Sequence, residues 1–191
     1  MFGDNSSAAP AAWGEIQART AALGFDMPSE ADTGALLHLL AVAKPGGRML
    51  ELGTGTGLAT AWLLAGLDAA SSLISVDVDP VVQDVARTHL KDDRLRFVLA
   101  DGLDYILAQP PGSFDLIFAD AWPGKYEALD QTLALLKQGG LYVIDDMLPQ
   151  PNWPEGHQAR VDDLVARLES HPDLVVTRLS WASGLIVAAR R

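Results

Sequence analysis

Met49-Leu50-Glu51-Leu52-Gly53-Thr54-Gly55-Thr56-Gly57-Leu58 joins an apolar run, Arg48 to Leu52, to a helical segment, Leu58 to Leu67, through a turn with glycine at every second position. Strand, glycine turn and helix in that order form the corner at which a doubly wound α/β sheet receives a nucleotide. Glycine suits the turn because a ligand must come close to the backbone, where a Cβ would block it. A dinucleotide fingerprint needs G-x-G-x-x-G. Counted from Gly53 its last position is Leu58, and counted from Gly55 it is Thr60, so both registers fail. A phosphate-cradling loop fails too, because no Gly-Lys-Ser/Thr follows. What stands here is acidic-x-G-x-G-x-G with Glu51 inside the strand, a turn suited to a nucleoside without a pyrophosphate.

Outward from the turn, apolar runs and helical segments alternate. Leu73 to Val78 leads into a helix opened by Pro80 in its first turn. Leu95 to Leu99 leads into Gly102 to Gln109, and Phe114 to Ala119 into Tyr126 to Leu136. Leu141 to Ile144 is followed by a Pro-rich loop, Pro149 to Gly156, and an amphipathic helix from Gln158 to Ser170. Leu174 to Leu179 and Leu185 to Ala189 close the chain. The gap between them, Ser180 to Gly184, is too short for a crossover helix and predicts an antiparallel hairpin. Upstream, Ala8 to Leu23 and Glu30 to Val42 read as helices, the second with Ser29 as N-cap. The expected fold is α/β: a doubly wound, mostly parallel seven-stranded sheet with an antiparallel C-terminal hairpin strand and helices on both faces. One domain over residues 1–191 is expected, with 1–45 a helical N-terminal extension and 46–191 the core.

Composition narrows the partners. A chain of 191 residues with 49% apolar and 20% charged residues has a globular profile. The absence of cysteine excludes a thiol nucleophile and a thiolate metal site. Its 14 basic residues are scattered among 25 acidic ones, for a net charge of −11, so nucleic acid and anionic membrane are poor partners and a small molecule is the expected substrate. The opening residues show no secretory pattern, and no apolar run could cross a bilayer, which makes the cytoplasm the default location.

Carboxylates recur where the sheet's strands end. Asp77, followed by Val78, falls where an acid accepts both ribose hydroxyls, and Asp79 is the N-cap of the Pro80 helix. Asp101-Gly102 ends the third run, where a carboxylate can accept from an adenine amino group. Each aspartate alone could merely cap a helix; three in register behind such a turn favour a nucleoside pocket.

With these residues the chain resembles the Rossmann-like S-adenosylmethionine-dependent methyltransferases. Glu51-Leu52-Gly53-Thr54-Gly55-Thr56-Gly57 looks like their first motif, Asp77 like their ribose-binding acid and Asp101 like their adenine-side acid. Phe114 to Trp122 and Gly139 to Asp146 make it most similar to the small O-methyltransferases of the catechol and caffeoyl-CoA type. The resemblance implies S-adenosylmethionine bound by Glu51, Gly53, Thr54, Gly55, Gly57, Asp77, Val78, Asp101, Gly102, Asp120 and Trp122. It implies a divalent metal, Mg²⁺ by its oxygen donors, on Asp120, Asp145 and Asp146, and methylation of a small catechol-like hydroxyl. Met27 and Glu30 resemble the segment that enters the family's pocket from the N-terminal side, and the family's N-terminal helices leave room for a homodimer.

The chain departs from that pattern at two places. The family's lysine base falls just after the strand-four aspartate, where this chain has Pro123 or Gly124; Lys125, further along, is either a displaced catalytic partner of Asp120 or a solvated loop charge. Ala59 stands where relatives carry a serine near the methionine carboxylate, with Thr60 or backbone amides as substitutes. His157 is a second candidate base, whereas His38, His89 and His171 have no expected chemical role. Trp122, Trp153 and Trp181 are either an aromatic wall or loop packing. Amino-group methylation is excluded by the missing Asn/Asp-Pro-Pro-aromatic element, and pyrimidine-carbon methylation by the missing cysteine. An aminopropyl transferase and a non-enzymatic nucleoside-binding module remain as rivals.

Overall fold

A computed structural model describes residues 9–191 of the chain. Two helices lead, α1 (Trp13–Leu23) and α2 (Ala31–Val42), and then strands and helices alternate: β1 (Arg48–Leu52), α3 (Leu58–Ala65), β2 (Ser72–Asp77), α4 (Pro80–His89), β3 (Leu95–Leu99), α5 (Gly102–Leu107), β4 (Phe114–Ala119). After β4 come a single turn, α6 (Trp122–Lys125), then α7 (Leu129–Leu135), β5 (Leu136–Ile144), α8 (His157–Ser170), β6 (Leu174–Leu179) and β7 (Leu185–Arg190).

The strands form one seven-stranded sheet in the order β3-β2-β1-β4-β5-β7-β6. β1 to β5 pair in parallel, and β7 runs antiparallel to both β5 and β6, as the short terminal gap requires. The order reverses direction beside β1, so the crevice at the carboxyl ends of β1 and β4 is the switch point where such sheets bind ligands.

Alternation along the strands builds a core on each face. Leu50 and Leu52 of β1, with Ile117 of β4 and Ile144 of β5, pack beneath α5, α7 and α8. Met49, with Leu116, Phe118 and Val143, packs beneath α1, α2 and α3. Such two-sided burial is why the parallel strands read as continuous apolar runs.

Several boundaries differ from expectation. α1 begins at Trp13 rather than Ala8, which lies outside the described residues; a turn closed by Trp13 N–H donating to Pro10 O precedes it. Glu30, not Ser29, is the N-cap of α2 and caps it without a side-chain bond. Ser29 Oγ is turned away toward Asp120. The helix expected over Tyr126 to Leu136 starts late, because Ala128 adopts a left-handed conformation (φ 54°) and only then does α7 begin. β5 starts before Leu141, with an irregularity of register opposite Phe114 to Leu116.

Candidate active site

The glycine turn is held from below and from both sides. Gly53 and Thr54 N–H groups both donate to Val76 O of β2, and Asp120 N–H donates to Leu52 O. A Cβ on Gly53 would stand 2.6 Å from the Asp120 carbonyl oxygen, so only glycine fits where the two loops cross. Gly55 N–H donates to Asp77 Oδ2 at 2.7 Å, which ties the turn to the end of β2. The other Asp77 oxygen accepts from Asp79 N–H, and Asp79 in turn caps α4 at Val81 and Val82.

Above the turn lies an open cavity of about 500 Å³. Its lining includes Gly53, Thr54, Gly55, Asp77, Val78, Asp101, Gly102, Asp120 and Trp122, nine of the expected cofactor residues. Asp101 also caps α5 through Leu103 N–H, so capping and pocket lining coexist there.

Two expected cofactor residues are corrected. Gly57 does not line the cavity; it caps α3 where a Cβ would meet Ala86 Cβ of α4 at 2.5 Å, so it serves helix packing. Glu51 does not line it either. Strand alternation turns it to the face opposite Leu50 and Leu52, where it is fully buried. There it ends a polar chain: Gln83 Nε2 donates to Thr54 Oγ1 (3.1 Å), Thr54 lies 2.6 Å from Ser75 Oγ, and Ser75 donates to Glu51 Oε2. Thr60 donates to the same oxygen at 2.5 Å, so Thr60 is committed beneath the turn and is no substitute for a serine in the cavity. Burial, only partly opposed by these donors, raises the Glu51 carboxyl to about 8, and its second oxygen has no partner.

A smaller cavity of about 240 Å³ adjoins the first. Met27, Pro28, Ser29, Asp120, Ala121, Trp122 and Asp146 border both. The segment between α1 and α2 therefore roofs the two spaces together: Phe25 packs over Gly55, while Asp26 and Glu30 face only the smaller one. Met27 and Glu30 thus lie where the resemblance puts them.

One wall of the smaller cavity is aromatic. Trp122, Tyr126, Trp153 and His157 line it, with ring centroids 4.5 Å apart for Trp153 and His157 and 5.6 Å for Trp122 and Tyr126. His157 is not a loop residue but the first residue of α8, with Nε2 3.1 Å from the Tyr126 hydroxyl and Nδ1 buried without a partner. Burial, with Lys125 and Arg160 nearby, lowers its pKa, and burial pushes Tyr126 up to about 12. Trp181 lies elsewhere: its indole N–H donates to Asp32 O, and it borders a surface groove with Leu36 and Leu39. Gly156, standing before the periodic pattern of α8, was the available sign that His157 begins a helix. Nothing in the sequence pointed to Ser29, whose partner lies 91 positions away.

The same cavity carries charges. Asp145 is buried and Asp120 is partly so, and desolvation raises the pKa of both; Lys125 opposes the shift of Asp120, and Ser183 that of Asp145. Lys125 Nζ stands 3.3 Å from Asp120 Oδ1, with side-chain exposures of 6% and 14%. Lys125 is therefore no solvated loop charge. Extended Pro123 and left-handed Gly124 (φ 93°) fold the loop back on itself, and the Tyr142 hydroxyl donates to Gly124 O beneath it.

The expected metal site is not formed. Asp120, Asp145 and Asp146 border one cavity, yet among the described residues no three His, Asp or Glu side chains stand so that they could hold a metal ion. Asp120 Oδ2 accepts from Ser29 Oγ at 3.3 Å, and Asp145 Oδ1 accepts from Ser183 Oγ and from Asp146 N–H. The donors are oxygens of the kind the implied ion takes, but as placed they do not converge on one point.

Glycine turn, strand-end acids and seven-stranded order together define a Rossmann-like methyltransferase architecture. A family model described as a methyltransferase domain matches residues 50–147, more than half of the chain, and the chain belongs to that family. It is similar to the catechol O-methyltransferase of Mycobacterium tuberculosis, 32% identical over 123 residues that make up 62% of this chain and 56% of that protein. The chain thus spans little more than half the length of the curated relatives it matches. Among solved structures it is similar to the O-methyltransferase TomG of Streptomyces achromogenes in complex with SAM: TM-score 0.81, 23% identity, 94% of this chain and 89% of that one. It is also similar to the O-methyltransferase of Bacillus cereus in complex with SAH, with TM-score 0.80 and 21% identity over 95% of this chain and 91% of the other. At such identities these likenesses show a shared fold.

Proposed function

We propose that the protein is an S-adenosylmethionine-dependent O-methyltransferase acting on a small aromatic hydroxyl. The observation that carries this reading is the pair of adjoining cavities, one above the glycine turn and one lined by both the aromatic residues and the Asp120–Lys125 pair. The larger is suited to a nucleoside by its volume, its glycine floor and the two acids Asp77 and Asp101 at its rim. Bound there, the cofactor supplies an electrophilic sulfonium methyl. Trp122 and Asp120, which border both spaces, sit at the junction where that methyl would meet the acceptor oxygen.

The chain's own residues then have separate tasks. Trp122, Trp153 and Tyr126 hold a flat acceptor by its faces and exclude water. Asp120 takes the hydroxyl proton as the new O–C bond forms and the C–S bond breaks, leaving a neutral thioether. Lys125 holds the acceptor oxygen as negative charge develops on it. Positioning two reactants in one dehydrated crevice supplies much of what methyl transfer needs.

An aminopropyl transferase would present the same nucleoside cavity, but the name and fold likenesses above favour neither it nor a non-enzymatic module. Calorimetric titration with S-adenosylhomocysteine is the test. One-to-one binding is expected, weakened at least about tenfold in Asp77→Ala, which loses the carboxylate at the rim and the tie to Gly55. No heat from the wild-type protein at millimolar ligand would overturn the reading.

A further inference from the structure

We infer that Lys125 is a built-in cation: its ammonium takes the position and the electrostatic task of a divalent ion, and the site excludes such an ion. The inference rests on the O-methyltransferase reading for its catalytic meaning, but its charge logic stands on geometry alone.

Three strand-end aspartates on one cavity are a concentration of negative charge that needs a counterion. The chain supplies it. Lys125 Nζ lies 3.3 Å from Asp120 Oδ1, nearly shielded from solvent, so the pair interacts through a medium far less screening than water. Among the described residues Asp120 is the one hydrogen-bond partner of Nζ. An ammonium has three N–H donors, so two remain for an acceptor oxygen in the cavity that Lys125 lines.

Both carboxylate oxygens of Asp120 and one of Asp145 are already engaged. Mg²⁺ demands near-octahedral oxygen ligands at about 2.0–2.1 Å, so an ion on Asp120 would have to displace the Lys125 ammonium or the Ser29 hydroxyl. Displacement of the lysine along the loop is what makes the substitution work. Pro123 and Gly124 turn the chain back, and a Cβ on Gly124 would stand 2.6 Å from Leu52 Cδ1, so the reversal is fixed by close packing. Tyr142, fully buried in β5, holds the same peptide from below.

The experiment compares Mn²⁺ binding to the full chain by electron paramagnetic resonance in wild type, Lys125→Met and Lys125→Arg. Thermal melting and S-adenosylhomocysteine titration accompany each variant. Wild type and Lys125→Arg are expected to bind no Mn²⁺ below millimolar concentration, and S-adenosylhomocysteine binding is expected to be indifferent to EDTA. Lys125→Met, which keeps the length of the side chain and removes its charge, is expected to bind Mn²⁺ at least about tenfold more tightly. Micromolar Mn²⁺ binding by wild type, or no gain in a folded Lys125→Met, overturns the inference. Either result leaves the cofactor reading intact if S-adenosylhomocysteine still binds. Loss of S-adenosylhomocysteine binding in wild type would instead sink that reading and leave the charge substitution to be decided by Mn²⁺ alone.

Discussion

Glu51 shows how a residue can be read correctly for its motif and wrongly for its task. Its place in the strand before the glycine turn was visible in the sequence; the face it occupies was not, because that depends on register against β2 and β4. Buried beneath the turn, it ionises near 4.5 when unfolded and about 8 when folded. Between those values the folded state keeps a proton that the unfolded state has lost. Stability from this group is therefore full below the unfolded value and is lost as pH rises through the folded one. Glu51→Gln keeps the acceptor for Ser75 and Thr60 and removes the titration. The fall in melting temperature between about pH 5 and pH 8 is expected to be several degrees smaller in the variant; identical pH profiles would show that the carboxyl does not titrate in this window. Asp77 and Asp101, by contrast, were legible in place, at strand ends that border the larger cavity, since strand ends and helix caps are local features. Lys125 was legible only as a residue out of place, because the fold-back at Pro123 and Gly124 is a matter of backbone conformation and of packing on Leu52.

At the scale of elements, local chemistry predicts well wherever caps and apolar runs agree. Pro80 at the start of α4, with Asp79 before it, fixes that helix start, and both features appear as expected. Asp79→Ala is expected to cost about 1 kcal/mol. For a chain of this size that corresponds to a fall of roughly 2–4 °C in melting temperature, and denaturant unfolding should show a lower midpoint with an unchanged slope. Agreement between caps and runs fails after β4, where α6 is one broken turn and α7 starts late. Nothing in Tyr126-Glu127-Ala128 marks Ala128 as left-handed, so the sequence reads the helix as starting at Tyr126, three residues before α7 does. The Pro-rich loop carries Trp153 to the aromatic wall, while Trp181 in the β6–β7 gap packs on α2 instead. Tertiary contacts decided between two tryptophans that sequence could not tell apart.

Over the whole molecule, the mostly parallel sheet and the terminal hairpin were readable, because the first follows from alternating runs and helices and the second from a short gap, whereas the joining of two cavities was not. Ligand binding should be felt globally. At a hundredfold excess over its dissociation constant, S-adenosylhomocysteine is expected to stabilise the folded chain by about 2.7 kcal/mol. A melting temperature higher by roughly 5–10 °C follows, measurable by thermal scanning, and an unmoved transition would contradict binding at the folded state. The segment from Phe25 to Glu30 gives that stabilisation a further meaning. One stretch of backbone roofs the space for the methyl donor and the space for its acceptor, so settling it over one guest settles it over the other. By linkage, whatever factor the donor contributes to the acceptor's affinity must be returned undiminished. On the proposed function the two ligands share one coupling factor, so the apparent dissociation constant of each depends on the concentration of the other.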